Sequence, residues 1–137
     1  MSDPLELFTR INTAMRAGED ASQYFDPDYV IYQDPGMPFG GEFRGAAGFL
    51  RSRRAVYDAF GPNCMQLLFK CAEPGGGRAS LHFKLTGPAG ASNPMEGFTT
   101  TVWVFRNDLA LETRAYYYDT PRWCEALAAA GVSASPA

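Results

Sequence analysis

Residues 56–73, VYDAFGPNCMQLLFKCAE, are where the chain changes its period. Upstream, Phe49, Leu50, Arg53, Val56, Tyr57 and Phe60 recur at helical spacing, which predicts an amphipathic helix over Gly45–Phe60. Gly61-Pro62 stops it. Downstream the period falls to two. Met65–Glu73, Arg78–Thr86, Glu96–Arg106 and Leu109–Tyr118 read as strands, separated by Gly75-Gly76-Gly77, a loop from Gly87 to Asn93, and Asn107-Asp108. The glycine triplet has no strand-to-helix context for phosphate binding and reads as a hairpin turn.

Working outward, Ser2 is placed to cap a first helix with Pro4 in its first turn. Leu5, Phe8, Ile11 and Met15 carry that helix, and Gly18 ends it. A short helical stretch through Ala21, Tyr24 and Phe25 is stopped by Asp26-Pro27. Tyr29–Gln33 is rich in β-branched and aromatic residues and predicts a strand, closed by Asp34-Pro35-Gly36 and followed by a loop through Pro38, Gly40 and Gly41. A last helix is expected from Pro121 to Ala130, before a flexible tail at 132–137. Helices first and a run of strands after predict an α+β domain over residues 1–131: a cone-shaped roll in which a curved, mostly antiparallel sheet is wrapped by helices around an apolar pocket.

The chain has 137 residues and 46% apolar content, enough for a core. Twelve Lys and Arg against fifteen Asp and Glu give a net charge of −3, with no basic block for nucleic acid. The arginines at 44, 51, 53 and 54 read as a solvated helix face. No stretch approaches the roughly 20 apolar residues of a membrane span, and MSDPLELFTR does not read as a signal peptide. A soluble cytoplasmic protein is expected, with neither membrane nor nucleic acid as partner. Cys64 and Cys71 fall in or beside one strand, where seven residues span roughly 23 Å. They are too far apart to pair, and the three cysteines show no zinc spacing.

Tyr32 and Asp34 lie two apart and share a strand face. A carboxylate at a strand end among aromatic neighbours has less water than a surface Asp, which raises its basicity, and a phenol beside it can donate to developing negative charge. The plainer role for Asp34 is to open a turn before proline. Trp103, on one face with Thr99, Thr101 and Phe105, either packs the core or stacks on a flat ligand. The only histidine, His82, alternates with Leu81, Phe83 and Leu85, so periodicity alone sends it to solvent.

The segment Asp28–Arg51, with its Tyr-Gln-Asp-Pro run and Phe43-Arg44-Gly45, and the end of the chain, Leu111–Arg114 through Tyr117-Tyr118-Asp119 and Trp123, resemble the ketosteroid isomerase and polyketide cyclase-like superfamily. That group has the nuclear-transport-factor-like cone, also called SnoaL-like. The resemblance puts Asp34 where isomerases keep a proton-shuttling Asp. It matches Tyr32 and Asp34 to the water-holding Tyr and Asn of limonene epoxide hydrolases. The isomerases' oxyanion pair is absent, with Arg10 and Thr101 at those positions. The epoxide hydrolases' acid pair is absent too, leaving His82 and Tyr116 as substitutes. The resemblance implies that His82 faces the pocket and that Arg114, Tyr116 and Tyr118 point into it, with Arg114 pairing with Asp34 or a substrate anion. With Phe49, Tyr57, Thr101 and Trp103 these make the candidate substrate-binding set. Asp119 is expected to cap the last helix.

These readings together predict a small-molecule enzyme of isomerase or polyketide cyclase/dehydratase type. Asp34 would be the base, assisted by Tyr32 and His82, acting on a small hydrophobic or polycyclic substrate. The chemistry asks for no cofactor and no metal. A non-catalytic ligand-binding or interaction domain is the alternative, since fold does not fix function; epoxide hydrolysis is a third option. The superfamily's habit of pairing through the outer sheet face implies a homodimer.

Overall fold

The computed structural model describes residues 2–132; the expected tail lies, from residue 133 on, outside them. Helix α1 (Pro4–Arg16) starts at Pro4, and Asp3 rather than Ser2 caps it, accepting from the Leu5 N–H at 2.8 Å. Ser2 lies one residue too early for that role. Its N and Oγ donate instead to the Asp108 carboxylate, at 2.8 and 3.1 Å. A 3-10 turn (Ser22–Tyr24) leads into β1 (Phe25–Gln33), which begins earlier than its β-branched run suggests. Its first half is irregular: Pro27 has no N–H to give, and the ladder skips from Phe25 to Val30.

Strand β2 (Gly41–Arg44) occupies part of the predicted loop and pairs antiparallel with β1. Four residues are too few for alternation to be legible. Helix α2 (Gly45–Phe60) follows at once. The remaining strands are β3 (Met65–Ala72), β4 (Arg78–Gly87), β5 (Met95–Arg106) and β6 (Leu109–Tyr117), and α3 (Thr120–Ala129) ends the described chain. All six strands form one sheet in the order β2-β1-β6-β5-β4-β3, antiparallel except for the parallel β1–β6 pair. Register shifts at Leu67/Phe69 in β3 and Val104/Phe105 in β5 bend it, as bulges do. The fold is therefore α+β with three helices and a mixed, mostly antiparallel sheet.

Two apolar clusters fill the concave side. Leu7 and Ile11 of α1 pack on Phe25, Tyr29, Leu81 and Trp103. Val56 and Phe60 of α2 pack with Leu85 and with Trp123 and Leu127 of α3. Trp123 sits against β5 at Gly97, where any Cβ would come within 2.7 Å of the indole, so only glycine fits. Its Nε1 has no partner among the described residues. Burying roughly 200 Å² of ring at about 25 cal/mol/Å² outweighs the ~1–3 kcal/mol cost of an unpaired N–H. Asp119 stands at the head of α3, but its side chain does not cap. Its left-handed φ of 60° turns the carboxylate away, and its carbonyl closes the first turn instead. All three cysteines are free.

Burial pushes the phenols of Tyr29 and Tyr117 above their ordinary value of 10.0, and the Cys64 thiol up to about 11 from 9.0. The unfolded chain releases these protons first as pH rises. The stability tied to the neutral groups is therefore intact below about pH 9 and is lost above it. Urea midpoints measured from pH 7 to 11 should hold steady and then fall beyond pH 9 to 10. A midpoint that climbs over that upper range contradicts the assignment.

Candidate functional site

Two-residue alternation decides which side chains meet inside the cone. Leu81 and Leu85 of β4 are fully buried, so Phe83 between them also faces inward and His82 faces out. Across the ladder, Leu81 pairs with Thr101 and Trp103 with Thr113, which turns Thr99, Thr101 and Trp103 of β5 and Thr113, Ala115 and Tyr117 of β6 inward. Ile31 and Gln33 of β1 complete the wall. Because Thr99, Thr101, Thr113 and Ala115 are short, the wall does not meet the helices. A cavity of about 210 Å³ remains beneath α1 and α2, at the seam of the two clusters.

One wall is aromatic. Trp103 lies 5.3 Å from Phe8 and 5.4 Å from Phe49, centroid to centroid. The other carries a hydrogen-bond relay: the Tyr117 hydroxyl donates to Gln33 Oε1 and Gln33 Nε2 to Ser52 Oγ, both at 2.9 Å. Burial chiefly, with the charges of Cys64 and Asp34 adding to it, holds the Tyr117 phenol well above its usual range, so it is a neutral donor. Asn12 and Arg16 stand one turn apart on α1, and Arg53 and Tyr57 one turn apart on α2, where the cavity nears solvent.

Phe49, Tyr57, Thr101 and Trp103 of the expected set line the cavity; the others do not. With Ile31 and Gln33 inward, Tyr32 must point out. Asp34 lies past the end of β1, outside the lining. Its Oδ1 accepts from the Gly36 N–H at 2.9 Å and its Oδ2 from Thr120 Oγ1 at 2.6 Å, tying the turn to the head of α3. His82 lies on the convex face, stacked on Phe69 at 4.1 Å and within 3.2 and 2.9 Å of the Ser80 and Thr100 hydroxyls. Arg114 covers the Tyr32 ring at 4.2 Å and pairs with Glu112 at 3.3 Å rather than with Asp34. Tyr116 and Tyr118 are exposed. The face of β6 that the resemblance aims inward thus faces out, because the register with β5 reverses it.

Gln33, Ser52, Thr113 and Tyr117 were not among the expected residues. Gln33 carried a usable signal, being two residues from the apolar Ile31. Ser52 and Thr113 carried none. The lining contains no carboxylate, imidazole or thiol among the described residues. Among the same residues no three His, Cys, Asp or Glu side chains group as metal ligands, and no helix is long and apolar enough to cross a membrane.

No family model matches the chain, and no curated protein matches it. Solved structures do. An NTF2-like protein from Burkholderia thailandensis superposes with a TM-score of 0.75 at 16% identity, over 93% of this chain and 98% of that one. A protein from Jannaschia sp., provisionally named a SnoaL-like polyketide cyclase, gives 0.68 at 14% identity, over 97% of this chain and 93% of that one. TerC, co-crystallised with polyporic acid, gives 0.73 at 17% identity, over 93% and 99%. At 14–17% identity these likenesses speak to architecture alone: the chain has the nuclear-transport-factor-like, SnoaL-like α+β cone fold.

Proposed function

We propose that the protein takes up one small, largely apolar molecule in the cavity between its helices and the concave sheet. The observation that carries this is the cavity itself, with Trp103 and Phe49 on one side and the Tyr117–Gln33–Ser52 relay on the other. Such a mix of apolar wall and a few placed polar groups is what small-molecule sites have in common. A cavity of ~150 Å³ accepts benzene, so about 210 Å³ suits a one- or two-ring molecule better than a steroid-sized one. That TerC, of the same fold, was co-crystallised with polyporic acid supports a small-molecule role.

Binding stands ahead of acid/base turnover in this reading. The Tyr117 hydroxyl gives its one proton to Gln33 Oε1, so it has none to spare for a developing oxyanion. A base is missing as well. The ionisable side chains of the lining among the described residues are Arg16, Arg53, Tyr57 and Tyr117, with no carboxylate or imidazole to take a proton. Asp34 would have to leave its bonds to Gly36 and Thr120 to serve.

We also propose a homodimer formed through the convex sheet face. Phe69, Phe98, Tyr116 and Tyr118 are 57, 55, 54 and 74% exposed. Phe69, His82, Thr100 and Tyr116 align across four neighbouring strands. A face on which this many aromatic side chains lie exposed marks an interaction surface.

Indole should raise the melting temperature of the protein by a few degrees when in excess over its Kd, and Ala115→Phe, which fills the cavity, should abolish the shift. Thr101→Leu is the milder filler if that variant does not fold. A shift that survives the filling places the ligand elsewhere. Asp34→Ala should cost about 1–2 kcal/mol of stability yet keep indole uptake; lost uptake at unchanged stability would restore Asp34 to the site. Light scattering should give about twice the 15.0 kDa chain mass, and Tyr116→Lys with Phe69→Lys should halve it. A single-chain mass for the parent protein at micromolar concentration rules the dimer out.

A further inference from the structure

The charges and hydrogen-bond vacancies of the cavity narrow its ligand further than its size does. Two of its lining side chains are cations, Arg16 and Arg53, and none is an anion among the described residues, in a chain of net charge −3. Arg44, Arg78, Lys84, Arg106 and Arg114 are all paired with carboxylates. The other seven cations of the chain have no such partner among the described residues, and of these seven Arg16 and Arg53 alone line the cavity. Arg16 sits in the last turn of α1, where the helix dipole favours a cation, but the dipole does not explain why it faces the cavity. Arg53 lies in the middle of α2 and has no helix end to serve. Its guanidinium rests 5.2 Å above the Tyr57 ring with Nε 3.4 Å from the hydroxyl, which leaves its two terminal nitrogens without a bond to any described residue. Arg51 and Arg54 on the same helix are exposed, whereas Arg53 is half-buried.

The interior supplies the complement. Ser52 Oγ accepts from Gln33 at 2.9 Å, Thr113 Oγ1 from Tyr29 at 2.7 Å and Thr101 Oγ1 from Trp103 at 3.2 Å. Each hydroxyl still has a proton to give, and none gives it to a described residue. All three line the cavity, and Ser52 and Thr113 are almost wholly buried. Unused donors in the lining call for an acceptor atom, and unpaired guanidiniums call for a carboxylate, which they grip in charge-assisted pairs.

We propose, building on the small-molecule reading above, that the ligand is a small organic carboxylate with an apolar ring body and an acceptor oxygen at its far end. The carboxylate meets Arg16 and Arg53, the ring lies against Phe49 and Trp103, and the oxygen takes hydrogen bonds from Ser52, Thr101 and Thr113.

Calorimetric titration with three matched probes tests this. The wild-type protein should bind 4-acetylbenzoate about tenfold more tightly than 4-acetylbenzamide, its neutral analogue. It should bind 4-isopropylbenzoate, which lacks the ketone oxygen, roughly fivefold less tightly than 4-acetylbenzoate. Arg16→Gln and Arg53→Gln should each weaken the benzoates about fivefold and leave the amide unchanged. Added salt should act on the benzoates alone. Equal affinity for acid and amide overturns the anion assignment while the cavity reading survives. Equal affinity for the acetyl and isopropyl acids overturns the acceptor-oxygen assignment. Binding of none of the three overturns the cavity reading and this proposal together. The acid–amide comparison needs no variant, so a poorly folded arginine mutant does not decide the matter.

Discussion

Gln33 is an amide buried to 6% exposure, and such a group survives burial only when both of its ends are bonded. Here Tyr117 satisfies the oxygen and Ser52 the nitrogen, so one side chain ties β1 to β6 and to α2. Leaving it unpaired would cost ~1–3 kcal/mol. Much else follows from this clasp. With Gln33 held inward, Tyr32 points outward and Asp34 is carried past the strand end to the head of α3. Through the parallel pairing of Tyr32 with Arg114, that arginine is on the convex face too.

The cavity arises from a mismatch of side-chain sizes across the same wall. Trp103 gathers Phe8, Tyr29, Phe49 and Phe105 about it and fills one side densely. Ser52, Thr101, Thr113 and Ala115 also line the space, and their side chains are too short to fill it. Protein interiors ordinarily close such gaps, and voids are few. This cavity is bordered by two arginines, of which Arg16 is exposed, and by the buried hydroxyls of Ser52 and Thr113, which are oriented by neighbours rather than by solvent.

The two faces of the last strands show how far pattern reading reaches. In β4 the triplet Leu81, Phe83 and Leu85 announces its buried side, and the structure agrees. In β6 the inward set is Thr113, Ala115 and Tyr117, while the outward set is Arg114, Tyr116 and Tyr118. Both sets mix polar and aromatic residues, so hydrophobicity does not separate them. The family resemblance pointed to the second set, and pairing with β5 decided for the first. The polar residues of the wall were hidden for the same reason: a threonine that accepts from a tyrosine eighty-four positions away leaves no local trace.

Apart from the four-residue β2, helix and strand identities, the turn at Asn107-Asp108 and the α+β order were legible along the chain, because apolar period and turn chemistry are local properties. The aromatic half of the cavity, Phe49, Tyr57 and Trp103, was legible for a related reason: large apolar side chains at regular spacing have few places to go. Which neighbour each strand face meets is different in kind. It depends on register between strands distant in sequence and on helices laid across them. Only the assembled fold tied Asp34 to the head of α3 as well as to its own turn, and made Gln33, Ser52 and Arg53 neighbours of one cavity.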